Sequence, residues 1–128
     1  MALAVALVAA GLAAAIHVLI FVMESVLFAR PVVWRRFGVA SRADAGTVRM
    51  WALNQGFYNL FLALGVVVGL IAVAMDHRVT GVSLIAFGTA CMAAAGLVLL
   101  ASGGAKYLRA AAMQAAPPLL TLAALLLV

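Results

Sequence analysis

Seven strongly polar side chains sit inside runs that are otherwise largely apolar. His17 and Glu24 lie in the first run, Asn54, Gln55, Tyr58 and Asn59 in the second, and Gln114 in the fourth. A carboxylate in such a setting can anchor a cation or carry a proton, a histidine can relay one, and amides and a phenol can orient a bound molecule. Their spacing is helical. His17 and Glu24 are seven apart, and Asn54 and Tyr58, like Gln55 and Asn59, are four apart, so each helix carries one polar stripe. In a bundle these stripes are expected to face the centre. Depth agrees as well: at about 1.5 Å per residue, Glu24 lies roughly 9 Å from Arg30, Asn54 to Asn59 roughly 8 to 15 Å from Arg49, and Gln114 roughly 8 Å from Arg109. His17 falls roughly 20 Å in, beyond the bilayer midplane.

The elements that must hold them follow from composition. Of 128 residues, 70% are hydrophobic and 9% charged, and the mean hydropathy is +1.31, far from the roughly half-apolar composition of soluble domains. A hydrocarbon core about 30 Å thick takes roughly 20 residues per helical crossing, so the length allows four crossings in a single transmembrane domain. The expected fold is all-α, a four-helix transmembrane bundle with antiparallel neighbours and helices at about 2–29, 42–75, 81–101 and 106–128. Lys and Arg number five in the connection 30–49, one at Arg78, and two at Lys106 and Arg109. The first and third connections therefore share the cytoplasmic side of a bacterial inner membrane, and both termini are external. A net charge of +5 confined to connections points to anionic lipid headgroups rather than nucleic acid.

Local signals refine this frame. Pro31 is expected to stop the first helix, and Ser41 with Asp44 reads as a capping box for the second. Trp34 and Phe37 fit an interfacial anchor, and Trp34, Trp51 and Tyr107 an aromatic belt. Asp76 and His77 read as solvated residues of a tight hairpin. Gly103 and Gly104 close the third helix, and Pro117-Pro118 is expected to break the fourth. Gly65 with Gly69, and Ala86 with Ala90 and Ala94, are spaced for close helix packing. No Lys or Arg precedes Arg30, so the first run reads as a retained helix rather than a signal peptide. Cys91 stands alone and fits a buried thiol.

Much chemistry is missing from the pattern. Two histidines at matching depth for haem, repeated Glu-x-x-His pairs for di-iron, zinc spacing and phosphate-binding glycine loops are all absent from the sequence. No serine or cysteine stands at a defensible spacing from a base. No cofactor, metal or catalytic motif is expected.

The seven-residue His17–Glu24 pair, the basic segment ending in Phe37-Gly38, the block Asn54-Gln55-Gly56-Phe57-Tyr58-Asn59, and Gln114 before Pro117 together resemble the small bacterial four-helix membrane proteins grouped as domain of unknown function 1304. The six-residue block is the most specific part. Phe57 stands where that family often has another large apolar residue, and Pro118 is an extra proline. The resemblance implies a shared intramembrane polar site and no particular activity.

The reading that follows is a membrane protein binding a small amphipathic or lipid-like ligand near the cytoplasmic leaflet. Glu24 would be the anchor, Asn54, Gln55, Tyr58, Asn59 and Gln114 the orienting groups, and His17 a neighbour. An enzyme acting on a membrane-soluble substrate, with Glu24 or His17 as acid or base, stays open, and two further rivals use the same residues. One is proton-coupled export through Glu24, and the other a structural subunit or assembly factor of a homo-oligomer or larger membrane complex, with the polar cluster as helix glue.

Overall fold

The computed structural model describes residues 1–128, and no strand is present. The helices are α1 (Ala2–Phe21), α2 (Pro31–Trp34), α3 (Arg42–Ala74), α4 (Arg78–Gly103) and α5 (Leu108–Leu125). A π-helical turn, Val22–Val26, continues α1, and 3₁₀ turns occupy Arg35–Phe37 and Ala105–Tyr107. Four spans are long and apolar enough to cross a membrane: Ala2–Val26, Arg42–Ala74, Arg78–Gly103 and Ala105–Leu125. The shortest has 21 residues and is roughly 31 Å long, enough for a hydrocarbon core. The 33 residues of α3 make roughly 50 Å, so part of this helix must project beyond the core.

The chain forms two compact units, one of residues 1–16 with 62–128 and the other of 17–61. In the larger unit, Ala10, Ala13, Ala14, Ala63, Val66, Ile85 and Met92 form a hydrophobic core. Its α4 presents Gly81, Ile85, Gly88, Met92 and Gly96 inward, a single helical face. The small residues that pack closely are therefore these glycines. Gly69 meets Gly81, Gly88 meets Val66 and Gly96 meets Ala115, whereas Gly65 faces open space and Ala90 and Ala94 are exposed. The alanine spacing misled because in so alanine-rich a helix the face is set by where a Cβ cannot fit.

The turn from α3 to α4 is short and well capped. Asp76 takes the left-handed conformation (φ 62°), the His77 amide donates to the Ala72 carbonyl at 2.9 Å, and the Asp76 amide to Val73 at 3.1 Å. This is a Schellman closure with aspartate in the position glycine usually holds. Asp76 thus ends a helix rather than serving only as a surface charge. Pro117 and Pro118 do not break α5, which continues through both to Leu125. Packing of Pro118, fully buried, holds the helix on course, and the Thr121 hydroxyl donates to the Pro117 carbonyl at 3.0 Å, as transmembrane helices with internal proline allow.

In the smaller unit the first helix ends earlier than the apolar run suggests. It widens into the π turn, with the Leu27 amide donating to Val22 at 2.9 Å. Pro31 then opens α2 instead of closing α1, because at the first helical position its missing N–H has no partner to lose. Phe28, Trp34 and Ala45 form a second core, flanked by Phe37, Val39, Val48 and Ala52. Trp34 is 3% exposed, so it is a core residue and not an interfacial anchor; Arg35 lies over its ring at 5.2 Å. Gly38, at φ 77°, turns the chain toward α3.

Ser41 caps α3. Its hydroxyl accepts the Asp44 amide at 3.1 Å and donates to the Asp44 carboxylate at 2.6 Å, so the acid steadies the capping hydroxyl at the positive end of the helix. Replacing Ser41 by alanine is expected to cost about 1 kcal/mol of stability. Thermal unfolding in mild detergent measures this, and an unchanged midpoint would mean that the cap contributes nothing.

Candidate functional site

Glu24 sits in the π turn, a geometry that widens the helix by one residue and recurs at functional positions. That wider turn also rotates Glu24 away from the strict seven-residue register with His17. Asn59, on α3 and 6% exposed, donates from its amide nitrogen to Glu24 Oε2 at 3.1 Å. The same nitrogen donates to the Gln55 carbonyl oxygen at 3.0 Å. Both hydrogens of this amide are therefore engaged, one on the acid and one on its own helix. The helix fixes the amide, and the amide fixes the acid.

A second bond runs beside it. The Ser25 hydroxyl donates to the Leu53 carbonyl at 3.1 Å. Gly56 makes that approach feasible: a Cβ there would overlap the Ser25 hydroxyl and stand 3.1 Å from Glu24 Cβ and 3.2 Å from the Ser25 amide nitrogen. Phe57 closes one side, its ring edge-on to Phe21 with centroids 5.2 Å apart. Ser25 and Gly56 were not among the expected site residues. The glycine within the polar block was the available signal, since an isolated glycine in a helix marks close backbone approach.

The other expected residues fall elsewhere. Asn54, Gln55 and Tyr58 are exposed, the last by 60%, so the polar residues of α3 do not form one inward stripe. At 100° per residue, Asn54 and Tyr58 share a face that Asn59 does not. His17 is fully buried. Gln114 is half-buried on α5 and belongs to the larger unit. No cluster of three or more His, Cys, Asp or Glu side chains is arranged to hold a metal.

What the arrangement offers is acceptor capacity. Glu24 keeps its second carboxyl oxygen and Asn59 its amide oxygen, while both amide hydrogens are spent. The acid's partner is a neutral amide rather than a cation.

Four apolar spans define a multi-pass membrane protein, and an acid–amide pair joins the first of them to the second. The family model described as protein of unknown function (DUF1304) matches residues 11–126, nearly the whole chain, and the chain belongs to that family. No curated protein and no solved structure matches it.

Proposed function

We propose that this protein binds the polar head of a small amphipathic molecule at Glu24 and Asn59, at the level of the cytoplasmic leaflet of a bacterial inner membrane. The observation that carries the reading is the doubly engaged Asn59 amide. Because its hydrogens are spent, the oxygens left over on Asn59 and Glu24 select a head that donates hydrogen bonds, an ammonium or a hydroxyl, over one that only accepts. An acid and an amide in a transmembrane helix are also what function retains against the cost of burial. The distribution of Lys and Arg supports the orientation, with the connection 30–49 cytoplasmic and both termini external.

The bond between Glu24 and Asn59, 35 residues apart in sequence, also supports the structural rival, in which the pair only holds helices together. Binding separates the two. A long-chain alkylamine that keeps its free ammonium head and carries a dansyl group at the far end of the chain is expected to bind the detergent-solubilised protein saturably, at least tenfold more weakly to Glu24→Gln, while a matched alkyl sulfate does not compete. Equal binding by wild type and Glu24→Gln, with both folded, would leave the pair as helix glue.

A further inference from the structure

The expected inward stripe of α3 is instead an exposed one. Thr47, Trp51, Asn54, Tyr58 and Phe61 recur at intervals of four, three, four and three residues and lie on one face. All five are exposed, Trp51 by 69% and Phe61 by 59%. Gln55 flanks this face and is exposed as well. Trp51 and Tyr58 alone would make an ordinary interfacial belt. The two amides do not fit that explanation. Asn54 lies roughly 8 Å beyond Arg49 along the helix, and Tyr58 roughly 14 Å, depths at which a polar side chain facing lipid has no partner.

We propose that this face of α3 is the interface of a homodimer, in which Asn54 and Tyr58 meet Asn54 and Tyr58 of a second copy. Three features select a second copy over another occupant. The basic connection gives every copy the same orientation in the membrane, so two α3 helices meet in parallel and each residue meets its own kind at its own depth. An amide both donates and accepts, so an Asn54 pair satisfies itself without a different partner. The stripe holds no charged residue, so two copies do not repel along it, unlike the arginine-rich connection. The four–three spacing is that of a left-handed seam, in which one polar position fixes register. Glu24 and Asn59 take no part in this contact, and it stands whether or not they bind a ligand.

Disulfide trapping in native membranes tests the proposal. Single cysteines at positions 53, 54, 57 and 58 are introduced in the Cys91→Ser full-length chain and oxidised with copper phenanthroline. Asn54→Cys and Tyr58→Cys are expected to give a product of twice the chain mass, Leu53→Cys, on another face of the helix, at most a tenth as much, and Phe57→Cys, which flanks the stripe as Gln55 does, an intermediate yield. In a cysteine-free background, Asn54→Leu is expected to weaken dimerisation, measured by energy transfer between labelled copies in vesicles, about 3- to 30-fold. Absence of a dimer, equal trapping at all four positions, or a product containing a different protein overturns the assignment.

Discussion

Replacing Gly81 by alanine is expected to destabilise the protein by about 3 kcal/mol, the upper part of the range for forcing an extra carbon into a packed core. The reason is the identity of what it meets. A Cβ at Gly81 would lie 2.6 Å from the Gly69 carbonyl oxygen and 2.7 Å from the Val73 amide nitrogen. Neither is a flexible side-chain end that can rotate away, so α3 and α4 would have to separate near the turn that joins them. That turn spans only Met75 to His77 and leaves little slack. Thermal or denaturant unfolding in mild detergent measures the effect. Gly65→Ala is the control, because its Cβ would enter open space and helix propensity favours alanine. Similar losses for the two variants would contradict the tight approach of α3 and α4.

Gly56→Ala is expected to cost about 1 to 3 kcal/mol and to disturb the candidate site at the same time. The new carbon would displace the Ser25 hydroxyl from the Leu53 carbonyl and press on the backbone that carries Glu24. A double-mutant cycle isolates this cause. In a Ser25→Ala background the overlapping oxygen is gone, so the cost of Gly56→Ala is expected to fall by at least about 0.5 kcal/mol, as for residues in direct contact. Strict additivity would place the damage elsewhere. Binding of the alkylamine should weaken in Gly56→Ala and recover in part in the double variant, since the Glu24–Asn59 bond depends on the same approach of the two backbones.

Much of the architecture was legible in residue order because it rests on terms that scale with composition. Four spans, the charged connections and the Ser41 cap follow from the length of apolar runs, from the cost of placing arginine in hydrocarbon, and from a three-residue hydrogen-bonding pattern. Each of these is local or additive. The pairing of Glu24 with a residue in the Asn54–Asn59 block was also within reach, since depth along a helix can be counted from its charged end.

Tertiary structure decided which member of that block makes the contact. Four polar residues within six cover more than one helix face, so spacing could not choose among them, and Asn59 rather than Asn54 or Tyr58 meets the acid because it alone of the four lies on the buried face of α3. The same holds for Trp34, which composition places at an interface and packing places in a core. Pro118 likewise stays helical because its buried surroundings outweigh its intrinsic preference. The sequence by itself determined how many helices cross the membrane and which residues are costly there. Only the fold decided which of those residues meet, because direction around a helix depends on a single inserted residue and on where two backbones can touch.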